Sequence, residues 1–243
     1  MTVKPLSVWI GYDPREAEAF AVARNSIIRA NRYIMVKGLV LRNLQNRGLY
    51  YRPTRTRLGK LWDDISDAYM STEFAISRFL VPHLVRENPH GVYGWALFMD
   101  CDMLVRTNLN KLREILDDSK AIACVKHNHV PVNLEKMDGQ VQQTYPRKNW
   151  SSVMAFNVDH EANHPLTVEM VNTLPGRDLH RFCWLEDELI QELPAEWNYL
   201  VGHTENVSDP KIVHYTEGGP WFNAFKETEF AEEWFTERDR WAM

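Results

Sequence analysis

With 243 residues, of which 44% are hydrophobic, 25% charged and 12% aromatic, the chain can fill one globular domain, or at most two small ones, and is neither disordered nor fibrous. Its formal charge of −5, from 28 basic and 33 acidic side chains, argues against a general nucleic-acid binder. The longest apolar stretches, Trp95 to Met99 and Ala121 to Val125, fall far short of the roughly 20 residues that span a bilayer, and Met1 to Pro5 shows no leader pattern, so a cytoplasmic chain is expected.

Leu6 to Tyr12 reads as a short strand that stops at Asp13-Pro14-Arg15-Glu16. Asp13 suits an N-cap, Pro14 the first helical position, and Glu16 the closing member of a capping box. Phe20, Ala23, Ile27 and Ala30 then recur at helical spacing, predicting a helix from about Ala17 to Asn31. Met35 to Leu41 is a second strand, and Tyr50 to Asp67 reads as a long loop. Between Arg42 and Lys60 the bases Arg42, Arg47, Arg52, Arg55, Arg57 and Lys60 occur without an acid, so an anion-facing surface or a solvated loop are both open there. Helix is expected from near Ser71 to Pro82. Trp95-Ala-Leu-Phe-Met99 has the continuous apolar pattern of a strand buried on both faces. Ala121 to Val125, Ser152 to Val158 and Lys211 to Tyr215 repeat the strand pattern, while Pro165 to Leu174 and Trp184 to Leu193 read as helices. Strands alternating with helices predict a single α/β layered domain.

Three cysteines, Cys101, Cys124 and Cys183, are odd in number and widely spaced, which excludes a disulfide framework or a zinc ribbon. The sharpest chemical feature is Asp100-Cys101-Asp102 at the end of the buried strand. In extended chain, residues i and i+2 point to the same side, so both carboxylates can face one point where the strand leaves the sheet. Their repulsion is relieved by a divalent cation of the magnesium or manganese kind, shared with substrate phosphates. The C-terminal end of a buried strand is also where open α/β sheets bind ligands. A second feature is Ile212-Val213-His214-Tyr215-Thr216-Glu217-Gly218-Gly219-Pro220-Trp221. Gly218 and Gly219 allow close backbone approach to an anion, and His214 could add a nitrogen ligand that moves the preference from magnesium toward manganese.

Together, the first strand ending in Gly11-Tyr12-Asp13, the Arg78 segment, Phe98-Met99-Asp100-Cys101-Asp102 and the late His214 segment resemble a GT-A fold glycosyltransferase, with most similarity to family 8, the retaining group that includes glycogenin. The resemblance implies a Rossmann-like mixed sheet flanked by helices, in one catalytic domain over residues 1–243. Its nucleotide-binding half would be 1–105, ending in the DxD motif, and 106–243 would be an acceptor and sugar half with a metal-binding tail. It further implies Mn2+, with Mg2+ as the alternative, held by Asp100, Asp102 and His214. A nucleoside diphosphate sugar, first of all a UDP-sugar, would lie against Gly11, Tyr12, Asp13, Arg78, Asp100, Gly218, Gly219 and Trp221, and the acceptor would be a glycan, a lipid-linked sugar or a protein. The family's phosphate-binding lysine is missing beside Pro220-Trp221, and Arg78 or the Arg52 to Lys60 segment is the expected replacement. Trp150-Ser151-Ser152-Val153 matches the family's Asn-Ser-Gly-Val only in part.

Glu186-Asp187-Glu188 stands where the family has its Asp-Gln pair. Glu186 and Asp187 are therefore the candidate catalytic residues, either on donor-sugar hydroxyls or as the base of an inverting enzyme. Acids in a first helical turn also simply complement the helix dipole. Two other classes compete. The Asp100 motif also fits the opening of haloacid-dehalogenase-like phosphatases, where the first aspartate is a nucleophile, and the departures from the family fit a non-catalytic nucleotide-sugar or glycan-binding module. For the tail, Trp221 and Phe222 are expected at the mouth of the cleft, on a Gly218 to Ala224 lid that orders with ligand.

Overall fold

The computed structural model describes residues 6–31, 33–87, 94–127 and 150–240. Strands β1 (Leu6–Tyr12) and β2 (Met35–Val40) are joined by helix α1 (Ala17–Ala30), and α2 (Leu41–Asn46) follows directly. β3 (Thr54–Arg57), β4 (Lys60–Asp63) and β5 (Ala68–Tyr69) come next, then α3 (Val81–Arg86), β6 (Trp95–Met99) and β7 (Met103–Val105). The second half contains α4 (Asn110–Ile115), β8 (Ile122–Cys124), β9 (Val153–Asn157), α5 (Val168–Thr173), α6 (Gly176–His180), β10 (Ile190–Glu192), β11 (Tyr199–Leu200), β12 (Ile212–His214) and α7 (Ala231–Asp239).

The main sheet has six strands in the order β10-β8-β9-β6-β1-β2. β9 is antiparallel to both of its neighbours, and every other pair is parallel. All five residues of β6 and of β9 are buried, the outcome expected when both faces of a sheet are covered. Edge strand β2 is largely exposed. One core cluster runs from Leu6 to Ile212 through both halves of the chain, and a smaller one gathers Val22, Leu104, Val213, Tyr215 and Trp234 around α1 and α7. The fold class is as expected: a mixed α/β domain with a central, mostly parallel sheet flanked by helices.

Three expected elements are corrected. Tyr50 to Asp67 is no loop: β3, β4 and β5 form a three-stranded antiparallel sheet. Thr and Arg alternate along β3, so neither face of that strand shows the apolar stripe by which strands are recognised. Trp184 to Leu193 is not a helix but a turn, a short 3-10 segment at Asp187–Leu189 and strand β10. Leu185, Leu189 and Leu193 mimic helical spacing, yet parallel pairing of Ile190 with Ile122 prevails, a case of tertiary pairing overriding local pattern. Finally, the Ser71 to Pro82 helix divides into a 3-10 turn at Ser77–Leu80 and α3, where Pro82 stands in the first turn rather than at the end.

Candidate active site

The Asp100-Cys101-Asp102 segment lies between β6 and β7, where the chain passes from the main sheet to a small sheet ordered β11-β12-β7. β12 runs antiparallel to β7 with His214 opposite Met103, and the Tyr215 amide donates to the Asp102 carbonyl at 2.9 Å. That register alone brings His214, more than a hundred residues later, beside the DxD. His214 Nε2 is 3.4 Å from Asp102 Oδ2. One ligand atom each from Asp100, Asp102 and His214 lies within 4.8 Å of the other two.

The surrounding hydrogen bonds set the chemistry of this cluster. Buried Asn198 donates from Nδ2 to Ser152 Oγ at 2.8 Å, so its Oδ1 is left to accept from His214 Nδ1 at 3.0 Å. The proton therefore sits on Nδ1, and Nε2 turns its lone pair toward the carboxylates, the usual second-layer device for a metal-ligating histidine. Ser152 also accepts the Asp100 amide on its carbonyl at 3.0 Å. A chain of hydrogen bonds thus runs from His214 through Asn198 and Ser152 to Asp100. Two carboxylates and an imidazole lone pair form a donor set that fits a divalent cation of the manganese or magnesium kind.

Arg78 is brought to the site as expected, but onto a carboxylate. Its Nη1 is 2.8 Å from Asp100 Oδ1 and donates to the Ser151 carbonyl at 2.7 Å, while the guanidinium lies over the Phe98 and Phe74 rings. Arg78 offsets the charge of Asp100, while the neutral His214 ring leaves its Nε2 lone pair for a cation shared with the two carboxylates. Beside them, His180 Nδ1 pairs with Ser151 Oγ at 2.7 Å. Desolvation, with Arg78 nearby, lowers the His180 pKa to about 3, so the ring is neutral.

Glu16 is a residue of this site that motif reading missed. Rather than closing a capping box with Asp13, its carboxylate accepts from the Cys101 thiol at 3.3 Å. Burial and then the Asp102 charge raise its pKa to about 7, against the opposing Cys101 hydrogen bond, and Asp13 and Asp100 add to the rise. The thiol of Cys101 is itself buried and pushed far up by desolvation and then by Glu16, Asp102 and Asp100. His180 and Asn198 were equally invisible, and the partial Ser151-Ser152 match gave no role, because each acts through a contact between segments that lie far apart in sequence.

Asp13 caps as predicted, accepting the Arg15 amide at 2.9 Å. Base reading by the same carboxylate would have to compete with contacts already made. Its carboxylate accepts Arg15 Nε at 3.0 Å, Arg15 Nη2 at 2.8 Å and the Glu73 amide at 3.0 Å, which with the cap fills its four acceptor sites. Burial opposes ionisation of Asp13, but the hydrogen bonds from Arg15 and Glu73 outweigh it and its pKa is lowered. Tyr12 stays half-buried against Phe20 at the end of β1. Gly11 is needed for packing: a Cβ there would meet the Phe74 ring at 2.4 Å.

The glycines and tryptophan of the late segment are likewise committed inward. Gly218 has φ +139°, and a Cβ on it would meet the Phe225 ring at 2.8 Å, while one on Gly219 would overlap Trp221 at 2.0 Å. Trp221 is not at the mouth of a cleft. It packs between Tyr215 and Trp234, with ring centroids at 5.9 and 5.6 Å, and α7 is tied to α1 by the Arg29–Glu237 ion pair at 2.6 Å. Trp221 is thus half-buried in an aromatic stack, while Phe222, Asn223 and Ala224 at the following turn are exposed.

Glu186 and Asp187 are not brought to the DxD. They precede the start of β10, which runs parallel to β8 and in the same direction as β6, so they stand at the end of the sheet opposite Asp100. Both are exposed. Nor does Arg52 replace the missing lysine, because it is buried against Asp63, with Nε to Oδ1 at 3.0 Å, and donates to the Val171 and Leu174 carbonyls. Burial disfavours the charged form of Asp63, but Arg52 and Ser66 more than compensate and its pKa is lowered.

Comparison with known proteins defines first a class of fold. The chain superposes on the bifunctional glycosyltransferase WbbM with a TM-score of 0.63 and 19% identity, over 97% of this chain and 50% of that one. GlyE of Streptococcus pneumoniae TIGR4 gives 0.60 and 15%, over 97% and 60%. The galactosyltransferase LgtC, in complex with donor and acceptor sugar analogs, gives 0.57 and 13%, over 96% and 95%. The chain thus spans half to three-fifths of the first two and nearly all of the third, and the fold is that of GT-A glycosyltransferases. No family model matches the sequence. At the level of sequence, 43% identity over 244 residues, covering 98% of this chain and 88% of its relative, places it in the family of Protein CDI of Arabidopsis thaliana.

Proposed function

We propose that the chain is a metal-dependent glycosyltransferase that moves a sugar from a nucleoside diphosphate donor, a UDP-sugar in the first instance, to a hydroxyl of a glycan, lipid-linked or protein acceptor. The observation that carries this is the convergence of Asp100, Asp102 and His214 within 4.8 Å at the C-terminal ends of the parallel strands, on a GT-A fold. The fold does not favour the phosphatase alternative. In addition, Arg78 already occupies Asp100 Oδ1, which suits a ligand-holding carboxylate better than a free nucleophile.

Asp100, Asp102 and His214 would hold Mn2+ or Mg2+, which when bound would neutralise the diphosphate leaving group and template its oxygens. Asn198 keeps His214 in the ligating tautomer. Arg78 holds Asp100 in place and supplies positive potential beside it, and neutral His180 fixes the Ser151 hydroxyl next to the same corner. Tyr12, at the end of β1, is the remaining aromatic platform for a base. With Glu186 and Asp187 at the far end of the sheet, the acceptor hydroxyl would attack on the face from which the diphosphate leaves, and the sugar would keep its anomeric configuration. Glu186 and Asp187 then belong to the outer surface.

The test is release of nucleoside diphosphate from a panel of UDP-, GDP- and CDP-sugars, with Mn2+, Mg2+ or chelator and without acceptor. Hydrolysis of one donor, dependent on metal and lost in Asp102→Ala, is expected. A donor that binds with metal but is never turned over would turn the reading to a binding module, and no metal-dependent binding or turnover of any donor would refute it.

A further inference from the structure

The basic run between Arg42 and Lys60 is not absorbed by the active site, and its far end has an unusual construction. β3 and β4 form a two-residue hairpin with Leu58 and Gly59 at the tip, at φ +52° and +76°. These are the values of a type I′ turn, whose first position normally belongs to Asn, Asp or Gly because left-handed backbone strains other side chains. Leucine stands there instead, 89% exposed. Arg57 and Lys60 face each other directly across the strands, so two basic side chains stand side by side behind the tip. Arg55 lies two residues from Arg57 on the same face of β3, and the Arg57 guanidinium lies over the Trp62 indole at 4.6 Å. The acids Asp63 and Asp64 stand at the other end of the hairpin, in ion pairs with Arg52 and Arg55.

The left-handed leucine opposes stability of the hairpin, and its apolar side chain gains no burial there in return. Such conflicts with local rules mark function. We propose that the Leu58–Gly59 tip is a membrane-docking element that binds an anionic lipid surface. Leu58 enters the boundary between headgroups and acyl chains, while Arg57 and Lys60 stand at the level of the anionic headgroups, with Trp62 behind them as an interfacial aromatic. Complementary charge argues for an anionic surface, and Leu58 argues for lipid over a soluble polyanion, which offers a protruding leucine nowhere to bury. This surface is distinct from the metal cluster and does not depend on the proposed reaction.

Co-sedimentation of the full chain with phosphatidylcholine vesicles, with and without phosphatidylserine, tests it. Binding is expected only with phosphatidylserine and is expected to weaken with salt. Leu58→Asn should lower the partition coefficient about tenfold, as loss of one inserted leucine implies. Its melting temperature should equal or exceed that of the wild type, because Asn suits the turn. Arg57→Gln and Lys60→Gln should each cost about fivefold. No preference for phosphatidylserine vesicles, unchanged binding by a folded Leu58→Asn variant, or binding to soluble heparin with no vesicle binding would each overturn the proposal.

Discussion

Removing the Asn198 side chain tests the arrangement of the metal cluster without touching a ligand. In Asn198→Ala, His214 Nδ1 loses its acceptor at 3.0 Å and Ser152 Oγ its donor at 2.8 Å, in a position where Asn198 is 0% exposed. Each buried group left unpaired costs about 1–3 kcal/mol. With two such groups we expect a loss of about 2–6 kcal/mol in stability, and with about 2–4 °C per kcal/mol for a chain of this size, a melting temperature lower by roughly 4–24 °C. With His214 free to rotate and change tautomer, Mn2+ affinity should fall about 10–100-fold. Asn198→Asp keeps an acceptor for Nδ1–H, and the Ser152 hydroxyl can reverse to donate, so it should retain Mn2+ binding near that of the parent. Calorimetric titration of Mn2+ into the three proteins below their melting temperatures measures this. Unchanged affinity in a folded Asn198→Ala, or equal loss in both variants, would refute the tautomer argument, whereas absence of binding by the parent would instead remove the metal site.

Asp63→Asn leaves the Arg52 guanidinium buried and uncompensated, and urea denaturation should show a loss of about 3–5 kcal/mol. Glu16, raised to about 7 from an ordinary 4.5, holds its proton longer when folded than when unfolded. Stability of the protein in chelator should therefore fall, on the order of 1–3 kcal/mol, as pH rises from about 4.5 through 7, and this slope should vanish in Glu16→Gln. A parent and variant with parallel pH profiles would remove Glu16 from the DxD corner. Gly219→Ala forces a methyl into the Trp221 ring and should cost about 1–3 kcal/mol by disturbing its stack with Tyr215 and Trp234, read by thermal unfolding and tryptophan fluorescence.

Local periodicity and termination signals reach the chain's alternating elements directly. The apolar run of Trp95–Met99, the Asp13-Pro14 start of the 3-10 turn that leads into α1 and the strand before His214 are each dictated by residues near one another, so the α/β class and the two arms of the metal cluster follow from sequence. That Asp100 and Asp102 share a side is also local, since it needs only the two-residue repeat of extended chain. Bringing His214 to them is different. It depends on the antiparallel register of β12 on β7, which no residue pattern within either strand specifies. Roles assigned one residue at a time diverged for the same reason. Asp13, Gly11, Gly219 and Trp221 have the right chemistry for a nucleotide site, but tertiary packing had already committed them to Arg15, Phe74 and the Trp221 stack. Glu186 and Asp187 have the right acidity, yet the direction of β10 sets them at the opposite end of the sheet. Local pattern marked which side chains could bind a cation and where the apolar strands β1, β6 and β12 end, though not the polar strands β3 to β5. Which of them meet, and which are spent on packing, was decided by strand order and register, because these are fixed by pairing between segments distant in the chain and carry no local signature.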